Sequence, residues 1–164
     1  MRRPWDYEVQ SPGTTLKTTQ TDYWAFHNSY ALANNMLDRP WSVTVTDGNT
    51  GQQTITTFGY DENGLESGNA TSGWNSVPLA GVTRGNQTSI KRYWNTSGSY
   101  LTTTKTYTNT GLVHSITEPP DSSISPASTT TFDYSSGYDG AYLTKVTNAL
   151  GQHSDSLLSK LADG

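Results

Sequence analysis

A punctuated alternation limits the possible folds of this chain more than any other feature. Runs rich in Thr, Tyr, Val and Ile are broken at short intervals by Gly, Asn, Asp, Ser or Pro. Trp41 to Thr46 places Trp41, Val43 and Val45 on one side of an extended backbone. Asp47-Gly48-Asn49 follows as a turn, and Thr54 to Tyr60 is the next run, so the pair predicts a hairpin with a loop longer than two residues. Asp61-Glu62-Asn63-Gly64 predicts a further turn, and Leu65 to Val82 a long surface loop. Strands are expected again at Gln87 to Trp94, Tyr100 to Tyr107, Leu112 to Thr117, Thr129 to Tyr134, Tyr142 to Thr147 and Gln152 to Leu157. Pro119 and Pro120 stop one of them, because proline cannot donate to a ladder. Helix is expected only as a turn or two within Asn28 to Leu37, and again at Leu157 to Leu161.

Composition agrees with extended structure. Hydrophobic residues make up 32% and charged residues 15% of the 164, both below the averages of globular domains. Aromatics reach 11%, which disordered chains lack, and Thr and Tyr suit half-buried pleated surfaces. The chain therefore reads as all-β with a modest apolar core and wide polar faces. Its net charge is -4, and its ten Lys and Arg form no stripe, so the clustered positive charge that nucleic acid requires is missing. Without cysteine, disulfides, thiol catalysis and cysteine-based zinc sites are excluded. Met1-Arg2-Arg3-Pro4-Trp5 has no apolar run behind it and does not read as a signal peptide. No stretch approaches the roughly 20 apolar residues of a membrane helix.

Three segments align on their turns: Phe58-Gly59-Tyr60-Asp61-Glu62-Asn63-Gly64-Leu65, Lys105-Thr106-Tyr107-Thr108-Asn109-Thr110-Gly111-Leu112, and the less regular Phe132-Asp133-Tyr134-Ser135-Ser136-Gly137. Two of the strands that follow end alike, at Thr117-Glu118-Pro119 and Thr147-Asn148-Ala149-Leu150-Gly151. The unit is a strand ending in Tyr, a Gly turn, a strand ending in Thr and an acid or amide, and a second turn. This series resembles the RHS or YD repeat, whose Tyr-Asp pair stands at Tyr60-Asp61 and is replaced by Tyr107-Thr108 and Tyr134-Ser135. Leu37-Asp38-Arg39-Pro40 and Arg84-Gly85-Asn86-Gln87-Thr88 are similar to segments of the same family. The resemblance divides the chain into a poorly matched β or irregular segment (1–36), degenerate repeats (37–156) and a tail (157–164). It implies antiparallel hairpin repeats forming an extended, curved sheet, part of a shell that encloses or presents a toxin or effector domain. The family's self-cleavage motif of aspartates and Asp-Pro-x-Gly is not found; Asn148-Ala149-Leu150-Gly151 lacks both the Asp and the Pro.

Candidate chemistry is sparse. His27, His114 and His153 have no ligand spacing, and His114 shares the phase of Leu112 and Ile116, as a sheet-packing residue would. Asp61 with Glu62, or Asp133 with Asp139, could supply a glycosidase pair, but both lie at expected turns, where such residues bind backbone. Asn69-Ala70-Thr71, Asn86-Gln87-Thr88 and Asn95-Thr96-Ser97 match glycosylation sequons, as chance allows in a chain rich in Asn and Thr. No catalytic, cofactor or metal residue is assigned, and the chain is expected not to be an enzyme. The expected role is a non-catalytic wall segment of a secreted or cell-surface bacterial protein, with any export signal outside this chain. Its expected partners are the remainder of its own shell and a toxin domain. Trp5, Trp24, Trp41, Trp74 and Trp94 keep a second reading open, a carbohydrate-binding or adhesive module, and a glycoside hydrolase fragment is a third. A repeat array without caps exposes strand edges, so the chain is expected to be a fragment, marginally stable or prone to association on its own.

Overall fold

The computed structural model describes residues 15–68, 83–94, 98–120, 127–137 and 139–156. Nine strands are found among them: β1 (Lys17–Tyr23), β2 (Pro40–Asp47), β3 (Gln53–Tyr60), β4 (Gln87–Trp94), β5 (Ser99–Tyr107), β6 (Val113–Thr117), β7 (Thr129–Tyr134), β8 (Leu143–Thr147) and β9 (His153–Asp155). They hydrogen-bond in sequence order as one meander. Every pair whose register is described is antiparallel. The all-β expectation with little helix holds. The expected final helical turn lies outside the described residues, as do most of the long loop (69–82) and part of the Ser/Pro loop (121–126).

Contacts group the chain into two units, residues 1–59 with 90–102, and residues 60–89 with 103–164. In the first, Val43 and Val45 stand opposite Thr21 and Thr19 on one side and Thr56 and Thr54 on the other. β-branched pairs of this kind each contribute about 0.2–1 kcal/mol. Between β1 and β2 the chain forms a 3-10 turn (Trp24–Phe26) and a short helix, α1 (Ser29–Ala33). Trp24, Ala25 and Ala31 are buried there. Asn28 starts the helix by accepting the Ala31 N–H on its side-chain oxygen at 3.0 Å. Asn35 ends it in the left-handed region at φ 55°, with Asn35 N–H on Leu32 O and Met36 N–H on Ala31 O, the paired bonds of a Schellman stop. The expected turn or two of helix is therefore present, with a cap at each end.

The turn between β2 and β3 is closed by Asp47. Its carboxylate accepts the N–H groups of Thr50 and Asn49 and the Thr50 hydroxyl. Those bonds, Thr50 first, hold its carboxyl below the usual range. Gly48 is required for a different reason. A Cβ there would fall 1.7 Å from the carbonyl oxygen of Thr15.

The second unit carries threonine on one side of its strands. Thr104, Thr117 and Thr129 lie in register, and so do Ser115, Thr131 and Thr147. The hydroxyls of Thr117 and Thr129 are hydrogen-bonded at 2.9 Å, and those of Thr106 and Ser115 at 2.8 Å. Ile116 and Thr130, and then Phe132 and Val146, occupy the alternate positions. Apolar burial is thus thin: among the described residues Tyr60 is the buried large apolar side chain of this unit.

Candidate functional site

The residues that recur in sequence recur as one hydrogen-bonded device. Tyr107 ends β5, and its hydroxyl donates to the carbonyl of Gln87, the first residue of β4, at 2.9 Å. Tyr134 ends β7 and donates in the same way to Val113, the first residue of β6, at 2.8 Å. Burial pushes both hydroxyls above the ordinary tyrosine pKa, and for Tyr107 the charge of Asp61 adds to it. The residue after each tyrosine makes a second repeated bond. Asp61 N–H donates to Asn86 O, Thr108 N–H to Leu112 O, and Ser135 N–H to Tyr142 O, all within 2.8–2.9 Å. Each acceptor immediately precedes a returning strand. The first unit has the same bond from Trp24 N–H to Arg39 O at 2.9 Å, after Tyr23. The register also slips beside Tyr23, Tyr107 and Tyr134, a bulge that turns the tyrosine out of simple alternation.

The Tyr-Asp copy differs from the others because of what it must close. Asp61 adopts φ 52°, which Asp tolerates better than most residues. Its carboxylate accepts the N–H groups of Arg84, Gly85 and Asn86 at 3.0, 2.6 and 3.0 Å. Glu62 continues the clamp, accepting the hydroxyls of the buried Thr88 and Ser89. Asp61 and Asn86 are 25 residues apart, whereas Thr108 reaches Leu112 across 4. Loop-closure entropy makes the longer connection costlier by about 1.6 kcal/mol. A carboxylate holding three amides offsets that. Where the connection is short, the Thr108 hydroxyl, accepting the Leu112 N–H at 3.2 Å, is enough.

Several of these connections meet in the second unit around a depression of about 140 Å³, lined by Ser67, Thr108, Thr110, His114, Phe132 and Asp133 among others. The long connection is anchored beside it by Glu66, whose N–H donates to Tyr107 O and whose carbonyl accepts from Asn109 N–H. Gly68 N–H donates to Asn109 Oδ1 at 2.8 Å, and a Cβ on Gly68 would stand 2.6 Å from that same oxygen. Arg84 donates to the Asn109 carbonyl. In the lining, Thr108 and Thr110 share a hydrogen bond at 2.7 Å, and His114 Nδ1 lies 3.4 Å from Thr106 Oγ1 outside it. At this volume, well below the usual 300–1,000 Å³ of ligand pockets, there is room for a single small ring.

The other residues singled out in the sequence are placed as follows. His27 contacts Asp22 at 2.8 Å and stacks on Trp41 at 3.9 Å between ring centroids. His153 lies 3.6 Å from Asp155. Among the described residues no three His, Asp or Glu side chains gather as metal ligands. Asp61 and Glu62 are engaged by backbone and hydroxyl donors rather than poised in an open cleft. Asp133 is exposed and stands in register with Lys145, and Asp139 is a turn residue at φ 50°. Trp24 is buried and Trp41 is exposed; Trp5, Trp74 and the Trp94 side chain lie outside the described residues. In the sequon at Asn86, Thr88 is buried; those at Asn69 and Asn95 lie outside the described residues.

Three features of the device go beyond the series of tyrosines and glycines aligned in the sequence. By its residues alone the series begins at Leu37, yet the bond after Tyr23 is already the repeated one, because hydrogen bonding there uses backbone that Trp24 and Ala25 do not advertise. In the third copy the left-handed glycine is Gly140, at φ 74°, and not Gly137; Gly140 N–H returns to Ser135 O at 2.8 Å. The turns after β2 and β8 also match. Val45-Thr46-Asp47 and Val146-Thr147-Asn148 are each followed by a left-handed glycine and Gln, at Gly51-Gln52 and Gly151-Gln152. In both, the Asp47 or Asn148 N–H donates to that Gln carbonyl at 2.9 Å. The shared Val-Thr-Asp/Asn…Gly-Gln pattern was the available signal.

No family model matches this protein, no curated protein matches it, and no solved structure matches its fold.

Proposed function

We propose that this chain is a non-catalytic wall segment of an RHS/YD-type repeat protein, secreted or displayed at a bacterial cell surface, whose extended sheet encloses or presents a toxin or effector domain. The observation that carries this reading is the recurrence of the post-tyrosine hydrogen bond at Tyr23, Tyr60, Tyr107 and Tyr134, over connections of very different length. Such a device keeps strands in order while tolerating insertions. A repeat wall is stabilised by each strand pair and its neighbours, so one whole unit can be removed without dismantling the rest. Joining Thr117 directly to Asn148, which deletes residues 118–147, is the test. The shortened protein keeps its β-sheet circular dichroism and loses stability roughly in proportion to length. Collapse to an unfolded state would defeat the repeat reading. In the longer protein, the same reading expects the neighbouring domain to resist protease until the wall is opened.

A second reading, a carbohydrate-binding module, is favoured by the depression in the second unit. Phe132, Thr110 and His114 are among the residues that line it. A glycan array read with the purified protein and with Phe132→Ala separates the two. Binding to a sugar that the variant loses supports the module, and no signal on any glycan leaves the wall as the reading.

A further inference from the structure

The second unit holds a peptide bond whose chemistry no described contact restrains. Asn63-Gly64 is the single Asn-Gly pair in the sequence. Both residues are exposed, and among the described residues no hydrogen bond engages the Asn63 side chain or the Gly64 N–H. They lie between two firm anchors. On one side Glu62 N–H is tied to Thr88 Oγ1, and on the other Glu66 N–H is tied to Tyr107 O. The segment between is therefore kept in a bend but not bonded itself. Glycine places no Cβ in the path of its own nitrogen and moves freely in backbone angle.

The two described Asp-Gly pairs, which can undergo the related ring closure, are restrained. Asp47 has its carboxylate bound to three donors, and Gly48 N–H is held by Leu16 O at 2.7 Å. Gly140 N–H is held by Ser135 O, and Asp139 sits at φ 50°.

We infer that Asn63-Gly64 is a site of spontaneous deamidation and isoaspartate formation in the folded protein. The backbone nitrogen of Gly64 attacks Cγ of Asn63. A new bond forms between that nitrogen and Cγ, the Cγ–Nδ2 bond of Asn63 breaks, and the Gly64 amide proton leaves with Nδ2 as ammonia. Water then opens the succinimide at either carbonyl, giving Asp or isoaspartate. The product sets a third carboxylate beside Asp61 and Glu62, and isoaspartate lengthens the backbone between the two anchors by one atom. The charge change acts locally, through repulsion and altered hydrogen bonding.

The test compares the folded protein with the same protein in urea, both incubated at mildly alkaline pH and then digested for mass spectrometry. The peptide containing Asn63 gains about one dalton and splits into two chromatographic forms. Its rate is the same in both samples to within about threefold, while folding slows isomerisation at Asp47 and Asp139 by at least about tenfold, the factor given by about 1.4 kcal/mol of barrier. Gly64 is exposed and not in the left-handed region, so Gly64→Ala carries no backbone-angle penalty and slows the folded reaction on the order of tenfold by crowding the nucleophile. Folding that protects Asn63 as strongly as Asp47 overturns the inference, and so does a Gly64→Ala variant that reacts at the original rate.

Discussion

Single side chains in this protein act mostly on backbone. Asp61 is the clearest case, and Asn is its sharpest probe, because Asn tolerates the same positive φ but has one acceptor oxygen where Asp has two. Asp61→Asn turns an N–H₂ group toward either the Arg84 and Gly85 donors, which share one oxygen, or the Asn86 donor on the other, and leaves at least one amide unsatisfied. The expected loss is about 1–3 kcal/mol, read as a lower urea midpoint, with the amides of Gly85 and Asn86 exchanging faster than those of β7 and β8. Unchanged exchange at those two amides would show that the carboxylate does not hold the connection. Tyr134→Phe removes the hydroxyl bond to Val113 O and costs about 1 kcal/mol. It also carries a pH signature. The folded pKa of Tyr134 is raised by burial, so its contribution is fully present below the ordinary value of about 10. It is lost as pH rises through the folded value. Between about 10 and the folded value the wild-type protein therefore loses stability more steeply than Tyr134→Phe, which a series of urea melts between neutral and strongly alkaline pH measures.

At the level of elements, strand formation follows local alternation where the core supplies a partner and follows pairing where it does not. β4 and β7 were legible end to end, since Gln87 to Trp94 and Thr129 to Tyr134 alternate between clear turn signals. β1 was not. Lys17-Thr18-Thr19-Gln20-Thr21-Asp22 has no apolar residue before Tyr23, so no periodicity marks it, and it is a strand because it pairs with β2 along its whole length. The candidate site divides in the same way. The tyrosines and the Tyr-Asp pair were visible as residues. Their partners at Gln87, Val113 and Arg84-Gly85-Asn86 are 20 to 25 positions away, and no local pattern encodes such a distance. Because β1 depends on pairing, it is sensitive to the turn that packs on its start. Gly48→Ala drives a Cβ into the Thr15 carbonyl, where overpacking costs about 1–3 kcal/mol. The expected result is selective: protease cuts appear within residues 15–23 while the β7–β8 amides stay protected. Equal loosening of both regions would place the role of Gly48 elsewhere.

For the molecule as a whole, the meander leaves β1 and β9 paired on one side only among the described residues. Open edges template further strands, and with so little apolar surface buried among the described residues the gain from pairing is large relative to the fold itself. β9 offers a way to test this without disturbing what holds it. Ser156 N–H donates to Thr144 O, and Asn148 N–H donates to Gln152 O. By alternation Ser154 faces β8, and the N–H groups of His153 and Asp155 point away from it. Asp155→Pro removes one outward donor and spares the inward ladder, as proline is tolerated on an edge. Sedimentation velocity on the wild-type protein should show association that grows with concentration, and Asp155→Pro should suppress it with little change in the urea midpoint. Association that persists in the variant would move the contact away from this edge. A wild-type protein that stays monomeric at every concentration would mean that the exposed β9 edge is not, by itself, a docking strand. If Asp155→Pro is the change that keeps the molecules single, the same edge is where a further strand adds.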